Sequence, residues 1–465
     1  MDSVGVKQAK NIAEHLAEFV VSEKYEALPK QAVEKAKTYI LDLFGCIIGA
    51  SREQQAQALL EVMKLEGGSP HSSVFAHGFK TSTMNAALLN GTMGHIFDFD
   101  DDHREGVMHS TVAVFPGVFA LGEREGISGK ELLRAFILGS EVMIRIGESF
   151  LGKSTYKGFH PTGTCGVFGT AAGCAAVLNL DAKQATYALG LAGSFAAGVM
   201  KWRREGSWQK PLQPGHAGMC GVLAASLAAK NFLGARSIFE EPDGVIKMFA
   251  MQDQYDYAPI TKDLGQKWEM MDTSIKVHAC CRFSATSVDC ALDLYQKGVR
   301  ASNVKQLLVK ADHSTITGLC YPPEVKQRPK THVDAQFSLP YGVAVALCKN
   351  RAGVDEFRKE VLGDPDVLAL VDKVTWEIDP AAEAVYPKAY PATIEATLND
   401  GRIVVSHFDY PKGDPENPAS MDEVRRKFDL LTEKYLDQDR MERIADKISR
   451  LEEVDDIRKL GDLAR

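Results

Sequence analysis

A chain of 465 residues, 45% hydrophobic, exceeds what one core usually supports, so two domains are expected. A formal net charge of −8 without basic blocks argues against nucleic acid as the main partner. The nine cysteines are an odd number, scattered through apolar segments with no C-x-x-C pair. That pattern reads as buried thiols in a reducing compartment, not as a disulfide framework or a zinc site.

In chain order, residues 1–14 are charged and amphipathic and lack an apolar core followed by a cleavage site. No secretion signal is expected, and a soluble cytoplasmic protein is. Residues 1 to about 265 read almost wholly helical. Residues 26–49 carry an apolar stripe of Ala32, Ala36, Tyr39, Ile40 and Leu43. The segment 128–149 opens with a Ser cap and Glu131 at the capping-box position. Two uncharged stretches, 162–180 and 184–200, are rich in Gly, Ala, Ser and Thr and are separated by Asp181 and Lys183. Small residues at helical spacing let helices approach closely, so buried helices of a soluble core are expected here, not membrane spans. A further alanine-dense helix is expected over 212–231. After about 265 the texture changes. Segments 304–312 and 373–379 alternate like strands, and 392–398, Asn399-Asp400-Gly401 and 402–407 form a strong hairpin signal. Residues 421–463 return to charged amphipathic helix. The predicted fold is therefore mainly α: a large helical domain (1–265), an inserted α+β lid (266–410), and C-terminal helices (411–465) returning to the helical domain.

The chemistry concentrates in four places. Asp98-Phe99-Asp100-Asp101-Asp102-His103 is followed by His109, six residues further on. Four carboxylates in five residues repel one another, and an apparently buried helix, 85–94, runs into them. That combination points to a site that relays protons or holds charge. An EF-hand loop would need Gly where His103 stands and Glu where His109 stands, so no such metal site is expected. Gly158-Phe159-His160-Pro161-Thr162 places an imidazole at a helix N-terminus, where the field favours its neutral form. Lys210 precedes the next small-residue helix, and lysines are seldom inside unless paired. Finally, Lys276-Val277-His278-Ala279-Cys280-Cys281-Arg282 sets His278 and two thiols between cations suited to gripping a carboxylate. Taken singly, each thiol reads as a small buried hydrophobe.

These pieces in this order resemble the MmgE/PrpD family, which includes 2-methylcitrate dehydratase, cis-aconitate decarboxylase and iminodisuccinate epimerase. The resemblance rests on Asn90-Gly91 with His95, the acidic run, Gly158 to Pro161, Lys210-Pro211-Leu212 with Gly215, the Lys276–Arg282 segment, and Asp334 to Tyr341. It implies a homodimer with a helical domain and a lid, acting on a small di- or tricarboxylate without metal or organic cofactor. By motif it assigns Asp98, His109, His160 and Lys210 to catalysis. Lys276, His278, Cys280, Cys281, Arg282, Asp102, His103 and Tyr321 are then expected around the substrate, Tyr321 as the nearest counterpart of a lid tyrosine. Asp102 and Cys281 stand where cis-aconitate decarboxylase has threonine and histidine. A lyase of dehydratase or decarboxylase type leads. An epimerase of an amino or imino dicarboxylate and a non-catalytic carboxylate-binding protein of the same fold are the alternatives. For the epimerase, Cys280 or Cys281 would be the second base, since a thiolate beside Arg282 and Lys276 would have a lowered pKa.

Overall fold

The computed structural model describes residues 10–465; the start of the amphipathic N-terminal stretch, residues 1–9, lies outside the described residues. Helices Thr83–His95, Ser110–Glu125, Gly129–Glu148, Pro161–Val177 and Gln209–Ala228 pack on one another as the centre of the helical part. Where each begins, the sequence often supplies the reason. Ser128 caps the Gly129–Glu148 helix by accepting the Glu131 N–H, while the Glu131 carboxylate accepts the Ser128 N–H at 2.8 Å, the reciprocal bonding of a capping box. Pro161 occupies the first helical position, where a missing N–H costs nothing.

The Pro161–Val177 helix is buried along its whole length, which only small side chains permit in so crowded a place. The same device sets the crossing that matters most. A Cβ on Gly91 would stand 2.8 Å from the Gly215 Cα, and one on Gly215 would stand 2.4 Å from the Leu88 carbonyl oxygen. The two helices therefore cross at backbone contact. That crossing carries the last residue of one, His95, to the first turn of the other, where Lys210 sits.

Three expectations need adjustment. The stretch 184–200 is helical only over Ala182–Ala192; a short 3₁₀ turn, Gly193–Phe195, follows. The chain then runs extended so that Gly198, at φ 144°, accepts the His160 N–H, a conformation open to glycine. Residues 229–265 hold only the short helices Val245–Phe249 and Ala258–Thr261. The helical part also contains a small hairpin, Ser72–Val74 with Phe79–Thr81. No helix of the described residues is long and apolar enough to cross a membrane.

The α+β region is a four-stranded sheet in the order Val374–Ile378, Val304–Ala311, Ala392–Leu398, Ile403–Phe408. The first pair is parallel and the other two antiparallel. Ala392, Ile394, Ala396 and Leu398 form the buried face of their strand, against which the Arg282–Gln296 helix packs. The predicted hairpin is present, with Gly401 at φ 89° in its turn. Of the C-terminal helices, Met421–Thr432 lies on Lys30–Gly49. A two-residue strand, Asp102–His103, pairs antiparallel with Thr273–Ser274. This ladder brings the acidic run beside the Lys276–Arg282 segment.

Candidate active site

All four aspartates of the acidic run are buried, so the cluster is no solvated loop. Asp98 follows the helix end in a left-handed conformation, φ 49°, which a non-glycine residue holds only when its surroundings impose it. The surroundings here are two lysines. Lys210 Nζ lies 2.7 Å from Asp98 Oδ1, and Lys276 Nζ lies 3.1 Å from the same oxygen while also donating to the Asp98 carbonyl. The Lys210 ammonium further contacts His95 Nε2 at 2.6 Å and sits near the faces of Trp202 and Phe337. Since an ammonium only donates, His95 Nε2 accepts, and its Nδ1–H goes to Asp100 at 2.9 Å.

Two more histidines close the cluster. His109 Nδ1 lies 2.9 Å from the Asp101 carbonyl oxygen and 3.2 Å from Asp100, with Nε2 at 3.7 Å from Asp98. His160, at the N-cap of its helix, stacks on His95 at 6.0 Å. Its Nδ1 lies 2.6 Å from Gln213 Oε1, and the Gln213 amide nitrogen donates to the Val199 carbonyl. That second bond fixes the amide orientation and makes His160 Nδ1 the protonated nitrogen, and among the described residues Nε2 has no hydrogen-bond partner. Asp98, His109, His160 and Lys210 thus converge on one cavity, whose walls also include Asp102, Arg282, Cys281 and Trp202.

The charges divide sharply. Burial alone would raise every carboxylate, yet Lys210 and Lys276 hold Asp98 below the usual carboxylate range. His95 and His109 do the same for Asp100. Asp101 has hydroxyl partners, Thr111 at 2.9 Å, and no cation in contact, so burial and the Asp100 charge push its carboxyl well up. Asp102 is also raised by burial, against Arg282 at 3.4 Å. Burial pushes His95 down to about 4 and, with Lys210 adding repulsion, His160 well below the usual imidazole range. Both rings are neutral near pH 7.

The thiols behave otherwise than their sequence neighbourhood suggests. Burial pushes Cys280 up to about 12 and Cys281 up to about 11, so neither is a ready thiolate. The flanking cations point elsewhere: Lys276 to Asp98, and Arg282 Nη2 to Asp414 at 2.6 Å. Cys281 lines the cavity, whereas the Cys280 sulfur accepts from Ser284. His278 turns away to Asp289 at 2.8 Å and faces a separate, larger groove beside the Met421–Thr432 helix. That groove holds no comparable acid–base cluster, so size alone misplaces the chemistry. Tyr321 is 51% exposed and packs on Trp376. The tyrosine at the cavity is Tyr390, buried, with its ring 5.2 Å from the Arg282 guanidinium. His103 lines the wall with Nδ1 accepting the Gly106 N–H, and burial lowers it to about 3.

His95, Asp98, Asp100 and His109 offer ligand atoms that all lie within 4.8 Å of one another, a spacing a cation can use. Lysine already occupies that role. Lys210 takes Asp98 and His95, and Lys276 takes Asp98, so a divalent ion would sit against two ammonium groups. The donor set fits internal lysine compensation better than metal.

The residues that sequence reasoning passed over are His95 as a working member, Asp100, Gln213, Tyr390 and Asp414. Gln213 stands three positions after Lys210 and His95 five before Asp100, spacings that were available as signals. Asp414, 132 residues beyond Arg282, carried none.

The MmgE/PrpD N-terminal domain matches residues 14–258 and the MmgE/PrpD C-terminal domain matches residues 278–453. The chain belongs to the MmgE/PrpD family. Among relatives, it is similar to a cis-aconitate decarboxylase-like protein, oryM, of Aspergillus oryzae, 26% identical over 97% of this chain and 96% of that protein. It is 27% identical to cis-aconitate decarboxylase of Aspergillus terreus, covering 94% of this chain and 92% of the relative. The mouse cis-aconitate decarboxylase is 26% identical, with 96% and 92% covered. Asp98 and Asp102 of the acidic run, His160 and Lys210 all line the cavity and all lie within the residues matched by the N-terminal domain.

Proposed function

We propose that this member of the MmgE/PrpD family is a lyase that acts on a small tricarboxylate by proton transfer next to a carboxylate, using its own side chains alone. The observation that carries the reading is the Lys210 ammonium, held between Asp98 and neutral His95 at the wall of a cavity shared with His160. Full-length similarity to cis-aconitate decarboxylases supports it.

The roles follow from the protonation states. His160 presents a free Nε2 lone pair and is the base for removing a proton next to a carboxylate. The electron pair left behind delocalises into that carboxylate, and its charge lies against Lys210, Lys276 and Arg282. Such preorganised stabilisation is commonly the largest catalytic contribution, with about 10²–10³ in rate lost per donor removed. Expulsion of a β-hydroxide, protonated to water, completes a dehydration. In a decarboxylation the C–C pair released with CO₂ moves through the adjacent double bond, and the carbon at its far end takes a proton from the Lys210 ammonium. Lys210, left as the neutral amine between Asp98 and His95, regains its proton from solvent. An epimerase would need a second proton-transfer group on the opposite face, and burial keeps the two thiols protonated.

The test is proton NMR of the protein with cis-aconitate, citrate, 2-methylcitrate and iminodisuccinate. Loss of CO₂ or water from one of the tricarboxylates is expected. Inversion of iminodisuccinate without any elimination would overturn the reading.

A further inference from the structure

A dehydration needs an acid as well as a base, because the departing hydroxide must be protonated. Most donors at the cavity are already engaged. Lys210 contacts both Asp98 and His95. The Tyr390 hydroxyl donates to the Arg104 carbonyl at 3.2 Å. His103 accepts the Gly106 N–H through Nδ1 and turns Nε2 toward Glu148 at 3.8 Å. The Cys281 thiol, pushed up to about 11 by burial, gives up its proton too reluctantly for the task.

Asp102 is different. It lines the cavity and is 4% exposed. Among the described residues its Oδ1 has no hydrogen-bond partner, and neither does the Arg282 Nε that stands 3.4 Å from its Oδ2. The Arg282 guanidinium is taken instead by Asp414, 2.6 Å from Nη2, and Lys276 is drawn to Asp98. A buried carboxyl that accepts no hydrogen bond is more stable neutral than charged. Burial accordingly raises Asp102; Arg282, His109 and Lys276 oppose the rise, and Asp414 adds to it. Asp98, on the same cavity, is held ionised by its two lysines. Two carboxyl groups driven to opposite protonation states are the arrangement that acid–base catalysis requires.

The backbone fixes Asp102 without engaging its side chain. It opens a two-residue strand and pairs there with Ser274. Ser274 Oγ donates to Asp414 at 2.7 Å, so the ladder that places Asp102 also places the carboxylate that holds Arg282 beside it.

We propose that Asp102 is a catalytic acid that protonates the hydroxide leaving a β-hydroxy polycarboxylate, with Arg282 steadying the carboxylate that remains. The proposal rests on the lyase reading above and makes the substrate a β-hydroxy acid. His160 Nε2 takes the proton from the carbon next to a carboxylate, and that electron pair forms the new double bond. The C–O bond breaks with its pair on oxygen, and the Asp102 proton joins that oxygen as water. His160 then gives its proton to solvent and Asp102 regains one.

The experiment compares citrate and 2-methylcitrate with the analogues in which fluorine replaces the hydroxyl, on wild type and Asp102→Asn. Fluoride leaves without a proton, so its loss bypasses the acid and still needs the base. Products are followed by proton NMR and fluoride by electrode. Asp102→Asn is expected to lose water about 10²–10⁴-fold more slowly, with fluoride loss within about fivefold of wild type. His160→Gln should slow both. Asp102→Asn is expected to melt no lower than wild type, because it removes a buried acid that accepts no hydrogen bond. Should it fail to fold, Asp102→Ser decides on the same two readouts. Equal slowing of water and fluoride loss would make Asp102 a structural residue, and unchanged water loss would place the acid elsewhere. Either result overturns the proposal and leaves a lyase. So does a wild type that releases CO₂ from cis-aconitate but water from neither hydroxy acid. Elimination from none of these acids would overturn the lyase reading itself, and the proposal with it.

Discussion

The two walls of the cavity are built on opposite principles. The wall from the helical part is an interlocked set in which Lys210 and His109 hold Asp98 and Asp100 low, while burial keeps His95 and His160 neutral. The opposite wall contributes Arg282, tied to Asp414, and a thiol that burial keeps protonated, with Lys276 behind it on Asp98. Each task has its own place as a result. Proton transfer needs groups whose pKa values are driven apart by their neighbours, and those lie on the helical wall. The other wall carries a buried cation, Arg282, already held by Asp414.

The division is most exposed at the residue both walls share. Asp98→Asn leaves Lys210 and Lys276 buried without a countercharge, so it is expected to abolish turnover and to cost about 3–5 kcal/mol of stability by urea unfolding. A stable Asp98→Asn protein with measurable activity would show the two walls to be independent. Next in size, His160→Gln is expected to lower kcat by about 10²–10⁴ with the unfolding midpoint little changed. A comparable loss of midpoint would make His160 a structural residue.

Acid acts on the helical wall through its buried histidines and carboxylates. The unfolded chain takes up protons on its histidines near the ordinary value of 6.5, whereas folded His95 resists until about 4 and His160 further still. The unfolded state therefore binds more protons, and stability falls as pH drops from about 6.5 to about 4. Asp98 and Asp100, with lowered folded pKa values, give stability that is present above the ordinary carboxylate range and lost only in stronger acid. Urea midpoints at about pH 7 and about pH 4.5 should differ for wild type and differ less for His95→Gln; equal shifts would contradict the assignment. The smallest effect is expected for Cys280→Ala and Cys281→Ala, each leaving turnover within about threefold of wild type, under ~0.7 kcal/mol of barrier. A hundredfold loss in Cys281→Ala would restore the thiol as a proton-transfer group.

The same contrasts explain what the sequence could and could not disclose. The convergence of Asp98, His109, His160 and Lys210 was legible because the resemblance named them together by motif, although His160 alone reads equally well as a residue of a helix cap. The helix ends were legible where a cap defines them, as at Ser128 and Pro161. The thiols misled for a specific reason. Adjacency to Lys276 and Arg282 is visible in the chain, but the partners that draw those cations away, Asp98 and Asp414, lie 178 and 132 residues distant. Gln213 was not singled out, because its place three residues after Lys210 marks a helix neighbour without telling that it meets His160, 53 residues away. Tyr321 stood near the right place in the chain and still faces solvent, while Tyr390, read only as lid, reaches the cavity.

Elimination driven by the His160 base is best tested by proton NMR in D₂O with cis-aconitate and citrate, run on wild type and His160→Gln side by side. Wild type is expected to give a new product, lighter by CO₂ or water, with any solvent deuterium at a carbon next to a carboxylate. The variant should be slower by about a hundredfold or more in the loss of water, the reaction that uses the His160 base. Equal rates in the two proteins, or deuterium entering unchanged substrate with no elimination, would refute that chemistry.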